Sequence, residues 1–197
     1  MLRLFAALPV PDEITQRLLG LQTGLERAQW RPTVNFHITL RFFGDIDTHT
    51  AHVLDAALAE IAAQKMQLTL EGVGWFGRRK PRSVWARVAG NQDLTELSEA
   101  CEKAARHIGL TPEARPFTPH ITLAYLRTTP LEAVSTWCEP RQAFAAGPFS
   151  ADRFHLMSSH LGNGPSRYTA EAEYPLGQVD GEGCEPGSSR TTNTDSG

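Results

Sequence analysis

Two tetrapeptides in the chain are identical: His37-Ile38-Thr39-Leu40 and His120-Ile121-Thr122-Leu123. If each is extended, alternation puts the histidine and threonine on one face and the isoleucine and leucine on the other. An imidazole and a hydroxyl then stand about 7 Å apart on each strand, anchored by apolar side chains behind them. Imidazole is the side chain that can take or give a proton near neutrality. Hydroxyls can donate to oxygens where negative charge develops. Faced across a groove, such a quartet suits in-line displacement at phosphorus, one imidazole serving the attacking water and the other the leaving oxygen. With 7 His and 18 Thr, chance alone supplies about 0.6 His-x-Thr pairs, so the pairs count for little without their context. Both lie in β-rich runs, and both follow an Arg-Pro, Arg31-Pro32 and Arg115-Pro116. Two strand histidines with ordinary hydrogen bonds are the competing reading. Metal ligation has less support, because no companion His, Asp or Cys sits at a familiar ligand spacing and threonine binds zinc or iron poorly.

The elements that must position these residues can be sketched from periodicity. Apolar residues recur with helical spacing over 12–28, over 48–63 with Asp47 as cap, and over 93–108 with Gly109 as stop. Alternating or β-rich runs occupy 2–8, 36–42, 66–71, 84–88, 120–125, 153–157 and 167–174. Many strands close in sequence, mixed with helices, indicate an α+β fold. The repeated motif suggests an internal duplication, two lobes of similar build in one domain over 1–176. No apolar run has the length of a membrane span. Three widely spaced cysteines encode neither a disulfide framework nor a zinc site, which fits a cytoplasmic protein. The formal charge is −3. Residues 177–197 carry Asp180, Glu182, Glu185 and Asp195 against Arg190, so 1–176 balances at zero. That Gly/Ser/Thr-rich segment is expected to be a disordered tail.

Five blocks carry a resemblance: RLFAALPVPDEI at 3–14, FHITLRFFGDID at 36–47, PRSVWARV at 81–88, RPFTPHITLAYL at 115–126 and FHLMSSHLGNGPSRYTAEAEYPL at 154–176. In order and over nearly all of 1–176, they resemble the bacterial and archaeal RNA 2′,3′-cyclic phosphodiesterase (2′-5′ RNA ligase) family of the two-histidine phosphoesterase superfamily. Phe36 stands where members often carry leucine, which conserves bulk. The resemblance implies a bilobal α+β fold, with two antiparallel sheets lining a central cleft and helices outside. It also implies hydrolysis of an RNA terminal 2′,3′-cyclic phosphate to a 2′-phosphate without metal or cofactor, and the reverse 2′-5′ joining without ATP. By the family pattern His37 is the proton donor, His120 the proton acceptor, and Thr39 and Thr122 hold the phosphate. The expected partner is an RNA end, tRNA-derived ends included, and the expected state a monomer. Two alternatives use the same residues: a phosphodiesterase of small cyclic nucleotides, and a non-catalytic module that binds RNA ends.

Further candidates follow from chemistry. Arginine outnumbers lysine 16 to 3, and guanidinium groups grip phosphate. Arg115 and the run Arg78-Arg79-Lys80 with Arg82 are the phosphate candidates. Phe76 and Phe42 are candidates for stacking on a terminal base. Strict alternation, however, puts Phe42 on the core face with Ile38 and Leu40. Tyr125 and Trp85 are read as packing residues.

Overall fold

The computed structural model describes residues 1–160 and 167–177; the proposed tail, apart from Gly177, lies outside them. Alternation and β-propensity give nine strands among the described residues. They are β1 (Leu2–Pro9), β2 (Ala28–Trp30), β3 (His37–Ile46), β4 (Met66–Phe76), β5 (Ser83–Val88), β6 (His120–Leu126), β7 (Ala145–Ala151), β8 (Arg153–His160) and β9 (Arg167–Pro175). Four helices accompany them: α1 (Asp12–Leu19), α2 (Thr48–Ala59), α3 (Gln92–His107) and α4 (Leu131–Cys138). One sheet has the order β3-β1-β8-β9 and the other β2-β6-β5-β4-β7, and every described pairing is antiparallel. The α+β fold with two antiparallel sheets is as the sequence implied.

The boundaries differ from the periodicity in instructive ways. Helix α1 ends at Leu19 with Gly20 as its cap instead of running to residue 28, and the left-handed backbone of Gly24 and Arg27 keeps it from resuming. Leu21 and Leu25 are nevertheless buried, so the apolar stripe survives the loss of the helix. Asp47 does cap α2, accepting from the Thr50 amide at 3.0 Å. Asn91 caps α3 through the Leu94 amide, and Gly109 follows with φ 84°. Helix α4 and strands β2 and β7 are absent from the sequence reading; β7, with its internal Gly147 and Pro148, is an edge strand.

The lobes are not consecutive halves of the chain. Over the described residues it passes between the sheets four times, from β1 to β2, β2 to β3, β3 to β4, and β7 to β8. Helix α1 follows a strand of the first sheet but packs behind β7 of the second, while α3 follows β5 of the second and packs behind β3 of the first. One continuous apolar cluster joins both sheets and the helices.

Both motif strands break their alternation at the same place. On β3, Thr39 lies opposite Ala7 and Arg41 opposite Ala6, which leaves Leu40 as an extra residue. On β6, Thr122 lies opposite Trp85 and Ala124 opposite Val84, which leaves Leu123 extra. These are β-bulges, each three residues after its histidine. An extra residue deprives the ladder of a regular partner, so its carbonyl needs another donor. The Ser98 hydroxyl of α3 donates to Leu40 O at 2.8 Å. Leu123 O accepts from the Arg31 amide at 2.8 Å and from Gln22 Nε2 at 3.1 Å. Replacing Ser98 by Ala is expected to cost about 1–2 kcal/mol of stability, by orphaning a buried carbonyl. Urea denaturation measures this; an unchanged midpoint would show that the bulge does not need the hydroxyl.

Candidate active site

The bulges determine what faces the cleft. A strictly alternating strand would send residue i+5 from the histidine to the opposite face; the extra residue brings it back. Phe42 and Tyr125, each five residues past its histidine, are accordingly exposed on the side of the motif histidines, at 37% and 43%. Phe42 stacks on Phe5 at 5.1 Å, and Phe5 in turn lies 5.0 Å from the His37 ring. The expectation that alternation would send Phe42 to the core is therefore corrected. So is the reading of Tyr125 as a packing residue.

His37 opens β3 and His120 opens β6, each half-buried, and the two strands pack against each other where the sheets approach. Each ring makes the same local bond: His37 Nδ1 to Asn35 O at 2.8 Å, and His120 Nδ1 to Thr118 O at 2.6 Å. A carbonyl can only accept, so Nδ1 carries the hydrogen and donates. Nε2 is then the atom with a free lone pair in the neutral ring. The backbone two residues upstream thus sets tautomer and orientation together. Thr39 and Thr122 are half-buried on the same faces, with Ile38, Ile121, Leu40 and Leu123 buried behind them.

Aromatic walls enclose both imidazoles. Tyr168 meets the His37 ring edge-on at 5.1 Å, and Phe76 meets the His120 ring edge-on at 4.8 Å. Trp85 lies 5.7 Å from His120 and 5.2 Å from Phe76, so it forms part of the cleft wall and not only of the packing. Gly74 is the floor on which the Trp85 ring rests: a Cβ there would lie 2.4 Å from Trp85 Cη2. A pocket of about 260 Å³ opens beside His37, lined among others by His155, Met157, Val34 and Tyr168.

Burial controls the protonation of this pair. It pushes the His37 imidazole down to about 4, and the positive charges of Arg31 and His120 push the same way, against the opposing bond to Asn35. Burial also lowers His120, with the Thr118 bond again opposing. The charge of His120 is thus among those that oppose protonation of His37, and burial favours the neutral form of both rings.

The other candidates are placed unequally. Phe76, 37% exposed, stands against His120. The basic run Arg78-Arg79-Lys80 is exposed on the turn that Gly77 (φ 91°) starts next to Phe76, and Arg82 follows it. Arg115 is not drawn into the site. Its Nε and Nη2 grip both oxygens of Glu113, at 3.0 and 2.9 Å, on an exposed loop. Its partner's carboxyl is held down to about 2 by those bonds. The arginine the sequence reading passed over is Arg31, 7% exposed, whose guanidinium carbon lies over the Tyr125 ring at 5.1 Å and the Tyr168 ring at 5.4 Å. Its one signal in the sequence is that Arg31 sits six residues before its histidine and Arg115 five, so the two are not equivalent in the repeat. Among the described residues no group of three or more His, Cys, Asp or Glu is placed to hold a metal ion, and no helix is long and apolar enough to cross a membrane.

Comparisons with known proteins agree with this geometry. Residues 10–163 match the model of the 2′-5′ RNA ligase superfamily. An RNA 2′,3′-cyclic phosphodiesterase of Aeropyrum pernix is 37% identical over 95 residues, 47% of this chain and 54% of that one. The chain thus spans little more than half of that relative. The protein of the same name from Bacillus subtilis is 30% identical over 82% of this chain and 90% of its own length. The crystal structure of Escherichia coli LigT complexed with 3′-AMP superposes with a TM-score of 0.73 at 25% identity, covering 90% of this chain and 99% of that one. A matching family model, a relative covered almost end to end and a shared two-sheet fold together place the chain in the 2′-5′ RNA ligase superfamily.

Proposed function

We propose that the chain hydrolyses the 2′,3′-cyclic phosphate at an RNA terminus to a 2′-phosphate, with His37 and His120 as the acid–base pair. The observation that carries this reading is the matched tautomer: two Nε2 atoms freed by the same backbone bond on adjoining strands of two sheets. A binding module has no use for two imidazoles locked in this way. The RNA 2′,3′-cyclic phosphodiesterase names of the relatives support the same chemistry.

In the forward step His120 Nε2 takes a proton from water as the water oxygen bonds to phosphorus. The P–O3′ bond breaks, and His37 Nε2 gives its proton to O3′, leaving a 3′-hydroxyl and a 2′-phosphate. Thr39 and Thr122 donate to the non-bridging oxygens as charge builds on them. The donor must enter the step protonated, yet burial keeps His37 neutral at pH 7 in the free protein. The substrate supplies what is missing: a phosphate anion between the rings favours the charged imidazole and raises both pKa values. The same step with a 5′-hydroxyl in place of water, again breaking P–O3′, forms a 2′-5′ bond without ATP. A single RNA end is the substrate that suits a charge-balanced body whose cleft is walled by aromatic rings, and a monomer suffices to form the site.

Turnover of an oligonucleotide bearing a 2′,3′-cyclic phosphate, assayed in EDTA, is expected to fall at least about 100-fold in both His37→Ala and His120→Ala. Undiminished turnover in either variant, or a strict need for added metal, would refute the mechanism; a mononucleotide cyclic phosphate turned over far faster than the oligonucleotide would redirect it to small substrates. A second test reads protonation directly. The unfolded chain takes up a proton on this histidine near pH 6.5 that the folded protein resists until about 4. Its contribution is therefore complete above pH 6.5 and is lost as pH falls through that window, up to about 3 kcal/mol. Urea denaturation at several pH values should show a shallower acid loss for His37→Gln than for the wild type, and identical slopes would contradict a buried neutral His37.

A further inference from the structure

Among the described residues, two buried side-chain polar atoms have no hydrogen-bond partner: Arg31 Nη2 and Trp85 Nε1. Both belong to the walls of one cleft. Arg31 is the more telling, because guanidinium stays charged at any working pH, and burying an unpaired charge costs several kcal/mol. None of the ion pairs in the described structure involves it. Two tyrosine faces offset part of the cost, but a ring face does not satisfy an in-plane N–H.

The main chain holds the side chain in this position. The Arg31 amide donates to Leu123 O, the bulged carbonyl of the second motif, and Arg31 O accepts from Gln22 Nε2 at 2.8 Å. The same Gln22 amide reaches Leu123 O. Arg31 is thereby tied to one histidine strand through its backbone. Its guanidinium lies against Tyr168, the ring that touches the other histidine. Its charge is felt at His37.

Resting on the reaction proposed above, we infer that Arg31 is the phosphate anchor of the site: its Nη2 donates to a non-bridging oxygen of the substrate phosphate held between His37 and His120. The anion completes the hydrogen bonding of a guanidinium left one partner short. Arg115, engaged by Glu113, does not take this part.

Arg31→Met, which keeps length and packing but removes charge and donors, and Arg31→Lys, which keeps the charge, separate the possibilities. Inorganic phosphate binding is measured by calorimetry, melting temperature by thermal scan, and kcat/KM on the cyclic-phosphate oligonucleotide. Arg31→Met is expected to abolish phosphate binding and lower kcat/KM about 100-fold, while melting at or above the wild-type temperature because an unpaired buried charge is gone. Arg31→Lys should recover part of the binding. Phosphate binding unchanged in Arg31→Met, or undetectable in the wild type, overturns the assignment. So does an Arg31→Met protein that cannot fold beside an Arg31→Lys protein that binds phosphate like the wild type, since the residue would then be structural. If the wild type binds phosphate through Arg31 but does not open the cyclic ester, the reaction fails and the anchor stands. If it turns over and Arg31→Met does too, the reaction stands and the anchor fails.

Discussion

A strand with a two-residue repeat cannot present residues i, i+2 and i+5 on one face, and the site is built from those three positions twice over. One extra residue, Leu40 in the first motif and Leu123 in the second, reconciles the repeat with the requirement. The rest of the structure answers to it. Helix α3 crosses to the other sheet and brings Ser98 to the first stranded carbonyl. The loop after α1 brings Gln22, and the residue after β2 brings its own amide, to the second. The early end of α1 at Gly20 frees that loop to reach it.

The electrostatics follow from the same enclosure. Aromatic rings lie against each half-buried imidazole, and partial enclosure makes each positive charge resist the next. Burial lowers both histidines, and at His37 the charges of Arg31 and His120 add to it. The resting cleft therefore has one fixed charge and two bases. Stabilisation of an incoming anion is built in beforehand, as directed dipoles and a guanidinium, and needs little rearrangement on binding.

That His37 and Thr39, and His120 and Thr122, share one face of their strands was legible because strand alternation is local and both tetrapeptides obey it. The two-sheet α+β class was legible for the same reason. What alternation hid was the bulge, which is set by a register against β1 and β5 that no short window contains; Phe42 and Tyr125 moved to the cleft with it. An aromatic at the same offset in both motifs was the available hint. Arg115 and Arg31 show the converse error. Nearness in sequence to a histidine favoured Arg115, but Glu113 two residues away engages it first. The burial of Arg31 depends on Tyr125 and Tyr168, which come from different sheets. Helix α4, by contrast, was readable: Pro130 precedes Leu131, Val134 and Trp137 at helical spacing.

The four passages between sheets and the exchange of α1 and α3 bear on how such a molecule could have arisen and how it can change. No single cut divides the chain into two pieces that each keep a sheet and its own covering helix. A tandem ancestor would have had to interlace its copies, as swapped dimers do, before either could be lost. Once interlaced, neither lobe is free to drift apart from the other. The gap between the two histidines is then inherited with the packing of the core, and loops can be traded without disturbing it.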